Sequence, residues 1–302
     1  MKVAFFGSRD RGSVCLEALA EKHEIWMALV PESNEDPTSK TALALSDMGR
    51  KFPVISTLAQ LGLLPLDECD VAVLARYPKL LPKEIWDKPR LGTINLHAGP
   101  LPQYRGPHPM NWMLINGETW GGFSIVQVDE GVDTGNILAQ QMFSIGVDDD
   151  YNDIVKKSLE IYPKLLLDTL SRIKNGFKGY PQDKNEGFWC SRRTPEESEI
   201  DFYSMTDIEI HNMVRALVPP MPSPELFWIG DPTECGYGRG TSIYVVETRI
   251  IKREYRGVSG KLVAKWPSGV VITCKNRGLL VTKVMINGEV KPAAEILSEV
   301  WE

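Results

Sequence analysis

The chain has 302 residues, enough for two domains or for one large and one small. Apolar residues make up 43% and charged residues 25%, the balance of a globular protein, and no run of about 18 apolar residues is present to cross a membrane. The net charge of −6 does not predict a nucleic-acid binder, whose footprint should be basic, but leaves room for a local basic patch. The five cysteines (Cys15, Cys69, Cys190, Cys235, Cys274) form no CxxC pair, which argues against a zinc knuckle or disulfide framework and fits a reducing cytosol.

The N-terminus, MKVAFFGSRD, lacks the long apolar region and cleavage site of a signal peptide. It reads instead as a first strand, KVAFFG (2–7). SVCLEALAEKH (13–23) has helical composition, with Val14, Leu16, Leu19 and Ala20 spaced for one face. IWMALV (25–30), PVIS (53–56), VAVLARY (71–77) and TINLH (93–97) are further short apolar runs, with TALALSDMGRK (41–51) between two of them. Strands separated by helices predict a parallel sheet covered on both faces. GFSIVQV (122–128) and ILAQQMFSI (137–145) add strands to it. In the following helical stretch Asp150 is placed to be an N-cap, Asp153 suits the first turn and Gly176 the stop. Pro163 inside it predicts a kink or a division. Residues 179–204 are polar and aperiodic, and read as a linker lying across the first domain. MTDIEIHNMVRAL (205–217) reads as a helix with Ile208, His211, Met213 and Leu217 on a face, ended by VPPMPSP. From residue 241 onward, short runs rich in Val, Ile and Thr predict a small β-barrel.

Alternation along TINLH puts Asn95 and His97 on one face of a strand. Adjacent polar side chains in a sheet covered on both faces need a reason, and the C-terminal strand ends of open α/β sheets are where ligands bind. Asn95 offers a neutral amide donor and His97 a base that titrates near neutrality. A buried histidine satisfied by backbone is the plainer alternative. VDEGVDTG (128–135) places Asp129, Glu130 and Asp133 among glycines after an apolar strand. One of these carboxylates can orient His97 or relay a proton; an ordinary acidic turn is the alternative, and the spacing does not match a calcium loop. FFGSRDRGS (5–13) has neither GxGxxG nor GK[ST]. No His, Cys, Asp or Glu cluster has metal-ligand spacing, and His23, His97, His108 and His211 are scattered.

Asn95-x-His97, then LPQYRG, then DEGVDTG, in this order, resemble the formyltransferase family that uses 10-formyltetrahydrofolate. That family includes methionyl-tRNA formyltransferase, glycinamide ribonucleotide transformylase and the amino-sugar N-formyltransferases. The resemblance covers nearly the whole chain. It implies an α/β fold, with a Rossmann-like formyltransferase domain built on a parallel-rich sheet over 1–188, a linker over 189–204 and a small β-rich, OB-like C-terminal domain over 205–302. It implies Asn95, His97 and Asp133 as the catalytic residues. It places 10-formyltetrahydrofolate, as co-substrate and without a metal, against Leu81 in YPKLLP and the backbone of Asp129, Glu130, Gly131 and Val132.

Within the family, YRGPHPMNWMLINGE, SRRTPEESEID and HNMVRA are similar to the enzymes acting on nucleotide-linked amino sugars. The place of the basic insertion of the tRNA enzymes reads PESNEDPTSK, and residues 203–302 hold 12 Lys and Arg against 11 Asp and Glu. The expectation is therefore an N-formyltransferase acting on the amine of an amino sugar, nucleotide-linked, cytoplasmic and homodimeric, with no nucleic acid or membrane as partner. Residues 104–112 follow the catalytic strand, so Tyr104, Arg105, Asn111 and Trp112 are expected on the acceptor side. There Trp112 would stack on a sugar ring, or else anchor the following helix. The alternative within the family is methionyl-tRNA formyltransferase, favoured by KREYR (252–256), which reads otherwise as a solvated strand end. The alternative of another class is a noncatalytic α/β binding protein, against which the intact Asn95, His97 and Asp133 speak. Two stretches depart from the family's pattern: PPMPSP (219–224) stands where a PWPGA-like run is common, and GPLP where S-L-L-P is.

Overall fold

The apolar runs of the first half become one sheet. In the computed structural model, which describes all residues except 34, 50–51, 62–64, 184, 195–196, 227–241 and 298–302, β1 (Lys2–Gly7), β2 (Glu24–Leu29), β3 (Val54–Ile55), β4 (Val71–Ala75), β5 (Thr93–His97), β6 (Trp120–Gln127) and β7 (Ile137–Ser144) are ordered β3-β2-β1-β4-β5-β6-β7. Cys235, Thr241 and Asn34 of the PESNED stretch lie outside the described residues. β1 to β5 pair in parallel, while β6 and β7 are antiparallel additions. The central strands read as continuous apolar text because both faces are covered: Val3, Phe5, Phe6, Val71, Val73 and Ile94 are buried. The order reverses between β1 and β4, the switch point of a doubly wound sheet.

The helices of this half are α1 (Arg9–Lys22), α2 (Pro37–Asp47), α3 (Leu58–Leu61), α4 (Lys83–Trp86), α5 (Pro109–Ile115) and α6 (Tyr151–Lys174). α2 starts where Asp36 accepts from Thr38 N and Pro37 takes the first position, a combination that needs no further capping. α6 corrects one expectation. It runs unbroken through Pro163, because a stripe of buried residues (Ile154, Ser158, Tyr162, Leu166, Leu170, Ile173) holds it on both sides of the lost hydrogen bond.

The chain divides into two compact units, Met1–Pro109 with Trp120–Ser144 and Val155–Cys190, and Met110–Thr119 with Ile145–Ile154 and Ser191–Glu302. The second is strand-rich. It contains β8 (Glu199–Ile200), β9 (Glu225–Leu226), β10 (Ile243–Arg249), β11 (Leu262–Trp266), β12 (Gly269–Thr273), β13 (Gly278–Ile286) and β14 (Glu289–Pro292), ordered β11-β12-β13-β10-β9-β8 with β14 beside β13. Their inward residues, among them Val245, Val270, Val281 and Val284, pack with Ile210 and Val214 of α7 (Asp207–Ala216) and Ile296 of α8 (Ala293–Ile296). α7 opens with a capping box between Thr206 and Glu209. That box starts the helix at Asp207, whose buried carboxylate accepts from Arg277 Nε (2.6 Å) and Asn276 Nδ2 (2.8 Å). Of the face expected, His211 and Leu217 are buried and Met213 packs against the core, while Ile208 is 51% exposed; Ile210 and Val214 complete the inward side. Among the described residues, no helix is long and apolar enough to cross a membrane.

His211 has both ring nitrogens engaged, Nδ1 with Thr248 Oγ1 (2.9 Å) and Nε2 with the Val147 carbonyl (2.9 Å). Burial holds its pKa below the ordinary 6.5, against the opposing pull of that carbonyl. As pH falls, the unfolded chain takes up this proton first. The residue's contribution is therefore whole above the unfolded value and is lost as pH falls through the lower folded one. We predict that the stability gap between wild type and His211→Gln narrows from about pH 7 to about pH 5.5, read by urea unfolding at each pH. A gap that is constant or widens contradicts this assignment.

Candidate active site

β5 ends in Asn95-Leu96-His97. Leu96 is buried in the core, while Asn95 and His97 share the other face, as the alternation requires. The connection from β6 to β7 starts beside β5, where Val128 N donates to the Thr93 carbonyl (2.8 Å), and folds back over that face. It brings Asp133 to both side chains. Asn95 Nδ2 donates to Asp133 Oδ1 (3.2 Å), and His97 Nδ1 lies 3.3 Å from Asp133 Oδ2. The His97 side chain is 5% exposed and that of Asp133 11%.

Two left-handed residues complete the arrangement. Asp133 has φ 57°, a region that aspartate tolerates, and Tyr104 has φ 56°, which for a bulky residue costs about 1–3 kcal/mol. The Tyr104 carbonyl lies 2.7 Å from His97 Nε2. At that distance two lone pairs would repel, so Nε2 carries the hydrogen and donates. The other ring nitrogen, Nδ1, faces the Asp133 carboxylate. Gly106 N donates to Asp133 Oδ2 (2.9 Å). Its φ of 85° and its approach to the Cys190 carbonyl, 3.1 Å from where a Cβ would stand, make glycine the fitting residue there.

Side chains distant in sequence support the group. Tyr162, wholly buried on α6, donates through its hydroxyl to the His97 carbonyl (2.7 Å), and burial raises its pKa far above the ordinary range. Ser124, opposite His97 on β6, donates to the Gly99 carbonyl (2.7 Å) and accepts from Leu101 N (3.1 Å), which fixes the loop after β5. Gln182 Nε2 donates to the carbonyls of Asp133 (2.9 Å) and Gly135 (2.7 Å), and Trp189 Nε1 to that of Val132 (3.3 Å). None of Tyr162, Ser124, Gln182 or Trp189 is marked in the sequence by spacing or motif.

The remaining expected residues take these places. Leu81 packs with Tyr77, Ile85 and Val128 on an apolar cluster. Lys83 Nζ donates to Glu130 Oε1 (2.6 Å), which joins the two loops and holds the Glu130 carboxyl below its ordinary range. Asp129 Oδ1 accepts from Gly131 N (3.0 Å) and Thr134 Oγ1 (2.7 Å), closing a turn whose outer residues, Gly131 and Val132, are exposed. The Tyr104 ring is buried edge-on against Phe188. Arg105 is 1% exposed. Asn111 Nδ2 donates to the Ala216 carbonyl (2.7 Å), and Trp112 donates to the Ser191 carbonyl (2.9 Å) beneath the Arg193 guanidinium. Among the described residues, no group of His, Cys, Asp and Glu side chains is placed to hold a metal ion.

The family model described as Formyl transferase matches residues 59–170, and that described as Formyl transferase, C-terminal domain, matches 192–299. The methionyl-tRNA formyltransferase of Agathobacter rectalis is 32% identical over 72% of this chain and 74% of its own. The chain belongs to the formyl transferase family. The methionyl-tRNA formyltransferase of Alkaliphilus oremlandii is 26% identical over 96% of this formyl transferase and 93% of its own chain. Among solved structures, the N-formyltransferase from Helicobacter canadensis in complex with folinic acid and dTDP-3-aminofucose superposes with a TM-score of 0.67 at 17% identity, covering 93% of this chain and 98% of that one. At that identity the likeness is one of fold.

The sequence relatives overturn two expectations. Proteins named for a tRNA acceptor match nearly the whole formyl transferase, which counts against an amino-sugar acceptor and against the absence of a nucleic-acid partner. The charge argument failed because a net charge is an average, and phosphate contacts need only a local basic surface. The stacking of Trp112 on a sugar ring presumed a sugar and falls with it.

Removing Asp133's charge tests the assembly. We predict that Asp133→Asn lowers kcat by about 10²–10⁴-fold, the scale of general acid–base assistance, with an unchanged circular dichroism spectrum. Near-wild-type turnover would exclude the carboxylate from the chemistry. Tyr162→Phe leaves the His97 carbonyl without its donor, and is expected to cost about 1–3 kcal/mol of stability by chemical denaturation.

Proposed function

We propose that the chain transfers the formyl group of 10-formyltetrahydrofolate to the α-amino group of methionine carried on tRNA. The observation that carries this reading is the match to methionyl-tRNA formyltransferases over 96% of the chain. Asn95, His97 and Asp133 are its catalytic residues, and their convergence speaks against a noncatalytic binding protein. The division into a catalytic part over 1–188, a linker over 189–204 and a C-terminal domain over 205–302 belongs to the same reading, as do a homodimer and a cytoplasmic location.

The donor site is the wall formed by Leu81 and Val128 with the outer backbone of Asp129, Glu130, Gly131 and Val132. An apolar surface edged by exposed peptide groups fits a flat heterocycle with a hydrogen-bonding edge. 10-Formyltetrahydrofolate supplies an activated formyl carbon and a leaving nitrogen. The Asn95 amide has two hydrogens; one goes to Asp133, and the other is free to meet negative charge developing on the formyl oxygen. His97 Nδ1 takes a proton from the attacking amine, while the Tyr104 carbonyl keeps Nε2 protonated and the ring fixed. Asp133, beside Nδ1, stabilises the imidazolium and gives the proton a route onward to the leaving nitrogen.

For the tRNA, the stretch that follows β10 supports the reading. Lys252, Arg253 and Arg256 are exposed there, Arg253 lies over the Tyr255 ring (5.5 Å), and Tyr255 accepts from Trp266 Nε1 (3.2 Å). Cations interleaved with aromatic rings suit a phosphate backbone.

The test is formylation of initiator Met-tRNA with 10-formyltetrahydrofolate at several salt concentrations. We expect formyl-methionyl-tRNA as product, with a KM that climbs steeply with salt. The log–log slope should be smaller by about 1 in Arg253→Ala. Absence of product under all conditions overturns the acceptor assignment. A slope unchanged in the variant removes this stretch from the tRNA surface.

A further inference from the structure

Arg105 is a cation in an unusual place. Among the described residues it is one of the largest fully buried side chains, and its guanidinium bonds only neutral acceptors there. Nε and Nη2 both donate to Gln182 Oε1 (3.0 and 2.8 Å), Nη1 to the Glu186 carbonyl (3.0 Å) and Nη2 to the Asp183 carbonyl (3.4 Å). The Trp189 ring lies 4.7 Å from the guanidinium carbon. Burying a charge without a counter-charge is costlier than filling the same volume with an apolar side chain, so packing alone does not account for it.

What the guanidinium fixes is the orientation of an amide. With Oε1 of Gln182 facing two N–H groups of Arg105, its Nε2 must face the other way, and there it donates to the carbonyls of Asp133 (2.9 Å) and Gly135 (2.7 Å). A flipped amide would put N–H against N–H on one side and oxygen against carbonyl oxygen on the other. The peptide that follows Arg105 reaches the same residue from its other end, since Gly106 N donates to the Asp133 carboxylate (2.9 Å). Asp133 is thus held at its carbonyl through the Arg105 side chain and at its carboxylate through the Arg105–Gly106 backbone. It is also a residue in the left-handed region, which persists only where its surroundings over-determine it.

We propose that Arg105 and Gln182 are positioning residues for formyl transfer, acting through Asp133. This rests on the formyl-transfer reading of Asn95, His97 and Asp133 and, for its turnover readout, on Met-tRNA as acceptor; the exchange readout rests on neither. It gives Arg105, expected from the sequence at the acceptor, a task inside the fold.

The decisive variant is Gln182→Glu. Its carboxylate keeps an acceptor for Arg105 but loses both donors to the Asp133 and Gly135 carbonyls. The first readout needs no substrate: the Gly106 amide, which has Asp133 as its acceptor, should exchange its hydrogen about tenfold faster or more in the variant. The second is turnover with Met-tRNA, expected to fall about 100-fold, the effect of a misplacement near 1 Å. In an Asp133→Asn background the same substitution should add no more than about a twofold loss, because a residue acting through Asp133 has nothing left to position. Should Gln182→Glu fail to fold, Arg105→Lys, which keeps the charge but not the fork, carries the same two readouts. Unchanged exchange at Gly106, or losses that multiply in the double variant, would overturn the proposal. Failure of the underlying reading looks different, because wild type itself would then transfer no formyl group.

Discussion

One carboxylate organises the proposed active site. Asp133 receives Asn95 at one oxygen, and Gly106 N–H and the His97 ring at the other. Remove it, and the amide donor and the imidazole lose their common reference. The sheet exists to present Asn95 and His97 on one face at the end of β5. The antiparallel β6 and β7 exist, in this view, to return a loop over that face. Tyr104, with its left-handed backbone, engages one histidine nitrogen through its carbonyl and leaves the other facing Asp133.

The sequence was a good guide where physics is periodic. Alternation on TINLH predicted the shared face of Asn95 and His97, and the glycine-punctuated DEGVDTG marked a turn that could bring a carboxylate near. The parallel half of the sheet followed from short apolar runs separated by helices. What stayed hidden was aperiodic. Gln182 and Trp189 belong to a polar stretch with no repeat, and they reach Asp133 and Val132 across 49 and 57 positions. Nothing in the spacing of α6 marks Tyr162, although its hydroxyl ends on the His97 carbonyl. On α7 the spacing marked the buried His211 and Leu217 but also Ile208, which is 51% exposed.

The acceptor was misread for a related reason. A balanced total charge in the C-terminal part counts against an RNA backbone only as an average. Electrostatics acts over about 10 Å at ordinary ionic strength, so the arrangement of charges decides and the sum does not. Lys252, Arg253 and Arg256 stand together on one exposed stretch, and Glu254 beside Arg256 cancels only part of their field.

The account's central claim is that Asn95 Nδ2 and His97 Nδ1, with Asp133 between them, are the atoms that meet the formyl group. A crystal structure of the protein with an unreactive 10-formyl folate analogue measures this directly. The account predicts the formyl oxygen within hydrogen-bond reach of Asn95 Nδ2, the formyl carbon open to an amine placed between it and His97 Nδ1, and the ring system against Leu81 and the 129–132 backbone. A formyl group bound away from these side chains, or facing Nε2 with the Tyr104 carbonyl displaced, would contradict it.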